Sequence, residues 1–287
     1  MNLKKVLNPK TAKMSLSNTA IRIIVSVIAI PLILGVSYLG GWFFTIFVAA
    51  ISLIAFYEFA AFSKSKSALV NIPLGLLGLL IIIINQLKPV VDFKLLLSLW
   101  FMLLLIIELF RNKQSALINL GITTFGFLYF ALMGSSLIAI REFYPNVNQL
   151  YTQGAFLMFS ILGTIWICDS AAFFFGTALG KHKLFPRVSP KKSWEGAIFG
   201  FLFAILSMIL FQKIFISFLS MGTTVGLGII IGTAGQIGDL VESLLKRDAG
   251  VKDSSNLIPG HGGIFDRFDS LLFSAPFIYY YLYYFGR

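Results

Sequence analysis

Long apolar windows separated by short polar intervals set the pattern of this chain. Nine windows stand out, at roughly 20–39, 41–62, 70–87, 94–110, 116–140, 155–180, 195–219, 223–247 and 270–286. Each is long enough to cross a hydrocarbon layer about 30 Å thick as a helix. Lys213 and Asp239 interrupt the seventh and eighth. Strand-like alternation is absent, and lipid demands that every backbone polar group be satisfied internally. The pattern therefore predicts an all-α polytopic membrane protein of about nine transmembrane helices. The first window has no small-residue cleavage site, so we read it as a retained span rather than a signal peptide. Spacings such as Gly196/Gly200, Gly222/Gly226 and Gly228/Gly232 predict close helix packing. Residues 1–150 carry no polar constellation and read as a transmembrane scaffold of about five helices. Residues 151–287 read as a catalytic region of about four helices with two basic loops.

Composition agrees with this class, with 57% of the 287 residues hydrophobic and only 12% charged. The net charge of +11 reads as basic loops at a membrane face rather than as a nucleic-acid surface. With the N-terminus inside, 18 of the 23 lysines and arginines fall on the inner side. Lys88, Lys94, Arg141, Lys213 and Arg287 remain outside. That bias predicts a cytoplasmic N-terminus, an outer C-terminus and a multi-pass protein of the inner (cytoplasmic) membrane. Under this orientation Glu58, Glu108, Asp169, Glu195, Asp239 and Glu242 all sit in the cytoplasmic halves of their spans. Acids at that depth face a protein interior or a wet cavity. Shallow interfacial placement is an even alternative for Glu58, Glu108 and Glu195, but it fits Asp169 and Asp239 poorly. The single cysteine, Cys168, reads as a small core residue and excludes an intramolecular disulfide.

Chemistry concentrates in the second half. Asp239, Glu242, Ser243 and Lys246 are spaced i, i+3, i+4 and i+7, which stacks them on one helix face. Gly235 and Gly238 beside them would admit another backbone or a ligand. An internal Asp239–Lys246 bridge is the plain alternative. A loop follows with Gly250, Pro259, Gly260, Gly262 and Gly263, whose amides could form an anion-binding nest. Lys246, Arg247, Lys252, His261 and Arg267 surround it, with Asp253, Asp266 and Asp269 among them. A solvated loop against anionic headgroups would explain the bases but not these acids. Asp269 could equally cap the last helix. Two carboxylates from different spans, Asp239 and Asp266, would suit Mg²⁺. The other basic loop, Lys181 to Gly196, offers Lys191, Lys192 and Ser193 as a second phosphate cradle at a helix N-terminus, and Ser193 reads equally as a plain N-cap. Trp194 reads as an interfacial anchor. No G-x-x-x-x-G-K-[ST], G-x-G-x-x-G, G-x-S-x-G, C-x-x-C or H-E-x-x-H motif occurs, and a zinc site is not expected.

The 27-residue run S-L-L-K-R-D-A-G-V-K-D-S-S-N-L-I-P-G-H-G-G-I-F-D-R-F-D, Ser243 to Asp269, resembles the signature of the phosphatidate cytidylyltransferases (CDP-diacylglycerol synthases). Asp169 to Gly176 and the Lys181–Gly196 loop resemble two further segments of that family. The resemblance implies a nine-helix membrane enzyme that joins CTP and phosphatidic acid into CDP-diacylglycerol and pyrophosphate. It also implies a divalent metal on Asp239 and Asp266, with K⁺ as a candidate second cation. Membrane lipids are the expected surroundings, and a homodimer is one assembly open to such a protein. Phosphoryl chemistry of this kind needs positioning and charge neutralisation rather than a serine or cysteine nucleophile. On this reading Asp239, Asp266, Lys246 and Arg247 are catalytic. Ser243, Lys252, His261, Arg267, Lys191, Lys192 and Ser193 hold substrate and phosphate. Asp169, Glu242, Asp253 and Asp269 form a second tier. The alternatives are a CTP-dependent lipid-alcohol kinase, which would share the same groups, and a secondary transporter, which predicts repeats and scattered acids that are not visible.

Overall fold

The computed structural model describes residues 18–145, 150–258 and 262–286. The first half consists of α1 (Asn18–Leu39), α2 (Gly41–Ser63), α3 (Ile72–Leu87), α4 (Phe93–Arg111) and α5 (Ala116–Arg141). In the second half, α6 (Leu150–Leu179) leads through β1 (Lys183–Phe185) and β2 (Ser189–Ser193) into α7 (Trp194–Ile214). There follow α8 (Met221–Ile230), a π-helical turn (Ile231–Gly235), α9 (Gln236–Asp248) and α10 (Phe265–Phe285). α8, the π turn and α9 run on as one rod. Six described stretches are long and apolar enough to cross a membrane: Gly41–Lys66, Phe93–Arg111, Ala116–Arg141, Tyr151–Leu179, Trp194–Ile214 and Met221–Asp248. Ile23–Leu39 and Ile72–Leu87 are shorter apolar helices.

Polar residues at the ends of the windows fix where the rods begin. Asn71, Asp92, Ser115, Ser193 and Ser220 each accept a backbone N–H three residues on, closing one orphan donor of the first turn. Three boundaries differ from the apolar windows. α6 and α10 each start about five residues early, because a helix can carry polar residues where it meets protein rather than lipid. α7 stops at Ile214, where Gln212 Nε2 donates to Leu219 O at 3.2 Å and folds the chain back toward Ser220. The Lys181–Gly196 segment contains a short antiparallel hairpin pairing Lys183 with Ser193 and Phe185 with Ser189. An all-α reading missed it because three residues of alternation are too few to register as a period.

The two halves share one core. Phe56 and Phe59 of α2 pack with Phe127 and Phe130 of α5. Phe265, the first residue of α10, lies edge-on to Phe130 with ring centroids 5.1 Å apart. Between α6 and α7 the backbones close up at Gly196, where a Cβ would lie 2.6 Å from Ala172 O. At the opposite end of the bundle Arg141 is fully buried. It donates to the carbonyls of Ser37 (2.5 Å) and Tyr38 (2.9 Å) and stacks over the Tyr151 ring. The guanidinium thus satisfies the C-terminal carbonyls of α1 and ties α1, α5 and α6 together.

Candidate active site

A cavity of about 850 Å³ opens between α1, α6, α7, α9 and α10. One wall is apolar, from Val25, Ile30 and Ile33 of α1 and Leu162, Ile165 and Phe173 of α6. The other is charged, with Asp169, Lys192, Asp239, Glu242, Lys246 and Asp266. The charged wall exists because α9 and α10 touch at Gly238, where a Cβ would fall 2.6 Å from Phe273 Cβ and 2.9 Å from Asp269 O. The backbone admitted beside Gly238 is therefore that of α10. The π turn just upstream inserts an irregularity of the kind often found at functional sites. Gln236 braces it by donating to Gly232 O (2.6 Å) and Ala197 O (3.1 Å).

Three carboxylates converge here: oxygens of Asp239, Glu242 and Asp269 all lie within 4.8 Å of one another. Two lysines balance them. Lys192 Nζ sits 2.6 Å from Asp239 Oδ2, and Lys246 Nζ sits 2.7 Å from Glu242 Oε1. Asp239 thus pairs with the β2–α7 junction, and the Asp239–Lys246 bridge considered from spacing does not form. Ser243 Oγ donates to Asp239 Oδ1 at 3.4 Å, which steadies that carboxylate. The donor set fits a hard divalent cation: every candidate ligand atom is a carboxylate oxygen. In addition, the buried Glu242 Oε1 has no hydrogen bond aimed at it, although an ammonium is near.

Asp266 lies on the same wall but faces differently. Its Oδ1 accepts from Lys246 at 2.5 Å, and its Oδ2 accepts from Ser254 N (3.0 Å), Ser254 Oγ (3.0 Å) and Gly263 N (2.7 Å). Four donors already engage it, so the carboxylate brought beside Asp239 from α10 is Asp269. The spacing i, i+3 put both acids near one face, but the loop before α10 turns Asp266 toward itself. Lys246 joins the two groups, touching Glu242 and Asp266 together.

The remaining sequence candidates divide. Lys191, Asp253 and Arg267 line the cavity. Ser193 lines it and also caps α7, accepting from Gly196 N at 3.2 Å. Arg247 is exposed and donates to Val251 O at 2.8 Å, closing the end of α9 rather than reaching the cavity. Lys252 is likewise exposed and outside the lining. His261 lies outside the described residues, as do Pro259 and Gly260. The nest expected of this loop is altered: Gly263 N is taken by Asp266, and Ile264 N and Phe265 N by Glu58. These amides bind carboxylates of the protein itself.

Sequence reading placed Glu58 among the acids that face a protein interior or the interface, but gave it no part in the site. It is 4% exposed, so interfacial placement does not describe it. Glu108 is also buried and accepts from Asn119 Nδ2 at 2.6 Å, whereas Glu195 sits at the surface against His182. The one available signal was an acid inside an apolar helix. Its partners lie about 200 residues away and no spacing reveals them.

Known proteins resemble this chain along most of its length. Residues 20–285 match a family model described as the cytidylyltransferase family. The chain is 35% identical over 269 residues to a phosphatidate cytidylyltransferase of Bacillus subtilis, covering 91% of this chain and 96% of that protein. It is 34% identical over 267 residues to a phosphatidate cytidylyltransferase of Staphylococcus aureus, covering 90% and 96%. One from Staphylococcus epidermidis is 32% identical over 271 residues, with the same coverage.

Proposed function

This chain belongs to the cytidylyltransferase family, and from that premise we propose that it condenses CTP with phosphatidic acid, giving CDP-diacylglycerol and pyrophosphate at a membrane. The observation that carries the reading is the two-sided cavity. Its apolar α1/α6 wall suits the glycerol and acyl portion of a lipid, and its charged wall suits phosphates and a metal. An oxygen of the lipid phosphate forms a bond to the α-phosphorus of the nucleotide, and the bond from that phosphorus to the β-bridging oxygen breaks. The nucleophile is already anionic, so no side chain need remove a proton. The work left to the protein is to hold two polyanions in line and to offset their charge.

Asp239, Glu242 and Asp269 would hold Mg²⁺, which supplies charge neutralisation at phosphate oxygens when bound. Lys192 and Lys246 are each within ion-pair distance of one of these acids, poised to exchange a carboxylate for a phosphate. Arg267 and Lys191 extend the cationic wall toward the cavity mouth. Asp266 keeps Lys246 in place. By the distribution of basic residues, the charged wall faces the cytoplasm, where CTP is found.

Purified protein incubated with phosphatidic acid, Mg²⁺ and CTP labelled at the α-phosphorus should place the label in lipid and release pyrophosphate. Lipid labelled instead from γ-labelled CTP would make the protein a kinase and overturn the proposal.

A further inference from the structure

Glu58 lies five residues before the C-terminal end of the 23-residue helix α2 and is the one charged side chain of that largely apolar helix. A carboxylate so placed is costly unless its oxygens are satisfied. Here both are filled. Oε1 accepts from Ser255 Oγ at 2.6 Å and from Ile264 N at 3.0 Å. Oε2 accepts from Ser254 Oγ at 2.8 Å and from Phe265 N at 2.9 Å. Every one of these donors lies in the segment just before α10 or in its first turn, 196–207 residues away in sequence.

The pattern has a structural meaning. Ile264 at the start of α10 makes no side-chain cap of its own, so the free amides of the first turn need an outside acceptor. Glu58 supplies it from another helix, and a negative charge is the favoured partner for a helix N-terminus. The same carboxylate holds Ser254, whose N–H donates to Asp266 and whose single hydroxyl proton lies between Glu58 and Asp266. A Cβ on Gly263 would overlap both Ser254 Oγ and the Glu58 carboxylate, so only glycine leaves room for this junction. Glu58 is thereby linked through Ser254 and Asp266 to Lys246, and through the α10 backbone to Asp269.

We infer that Glu58 is a positioning residue for the reaction: it fixes the start of α10 from α2 and so sets where Asp266 and Asp269 stand in the cavity. It touches no substrate. The inference rests on the cytidylyl-transfer reading for its kinetic arm alone.

Glu58→Gln tests it. The amide keeps the shape but offers one acceptor oxygen where four donors converge, and it points an NH₂ at two of them. In the full-length protein, kcat should fall at least about tenfold, with KM for CTP within about threefold. Tryptic cleavage after the exposed Lys252, compared with that after Lys88 at the far end of the bundle, should accelerate. Ser255→Ala should lower kcat in the native background and have no further effect on the Glu58→Gln enzyme, because both changes break one junction. If Glu58→Gln does not accumulate in membranes, the Ser254→Ala/Ser255→Ala pair replaces it, since that pair keeps both backbone amides on Glu58. Native kcat in either variant overturns the inference. So does lost activity with native cleavage at Lys252, or additive effects of Ser255→Ala. Wild-type protein inactive on CTP and phosphatidic acid would instead sink the cytidylyl-transfer reading, and the cleavage comparison would still decide the role of Glu58.

Discussion

Lysines meet three of the acids on the cavity wall. Lys192 opposes Asp239, and Lys246 opposes both Glu242 and Asp266. Oxygens of Asp239, Glu242 and Asp269 lie within 4.8 Å of one another, so like charges crowd at this point of the wall. Such groups act only if their geometry is kept, so loss of one should be severe. Asp239→Asn and Asp269→Asn are each expected to lower pyrophosphate release by on the order of 100-fold or more, with normal amounts of protein in the membrane. Arg247→Ala should stay within about threefold of wild type, because its guanidinium caps α9 outside the cavity. Assaying the three side by side separates the wall residues from a base that is merely near them in sequence. Asp239, Glu242, Ser243 and Lys246 were legible as one face because helical spacing is local. Which lysine meets which acid was not, since Lys192 reaches Asp239 from another element.

Close backbone approach decides how the helices present those side chains. α9 and α10 meet at Gly238, and the contact leaves no space for a side chain on that face. Gly238→Val should push α10 away from α9 and destabilise the protein by about 1–3 kcal/mol, seen as a lower melting temperature in detergent and as lost turnover. Gly35→Ala in α1, where a Cβ would meet nothing within 4 Å, is the matched control and should melt like wild type. The small-residue spacings at Gly196/Gly200 and Gly228/Gly232 announced such contacts, and a Cβ at any of these four positions would crowd a neighbouring helix. Gly222 in the same pattern does not: a Cβ there meets only Ser220 Oγ at 3.8 Å. The β1–β2 hairpin and the π turn escaped the reading for a common reason. Each is a few residues long, and neither leaves a period in the sequence.

On the scale of the whole molecule, the charged wall, the β1–β2 hairpin, the Lys66–Asp248 ion pair and the Glu58 junction gather at one end of the bundle, while Arg141 closes the other. On the proposed orientation, which rests on the bias of basic residues, the first end faces the cytoplasm. Cysteine labelling checks this, because the native Cys168 is buried. A cysteine replacing Lys183 in β1 should react with a membrane-impermeant maleimide only in inverted vesicles. One replacing the highly exposed Val90 between α3 and α4 should react only in right-side-out vesicles. The reverse pattern would place the active site on the far side of the membrane.

Hydropathy and spacing alone determined that this chain is a helical membrane protein, and they are the source of the proposal that its chemistry lies near the end of one rod and the start of the next, among groups that would suit phosphate and metal. Those properties are written in residues a few positions apart, where a helix fixes geometry. The tertiary fold decided the rest: that Asp269 joins Asp239 and Glu242 in one cluster while Asp266 meets Glu242 across Lys246, that Lys192 crosses to Asp239, and that the Glu58 carboxylate meets the first amides of α10. Each of these depends on where separate rods dock, and docking is set by packing between segments that can be 200 residues apart in the chain.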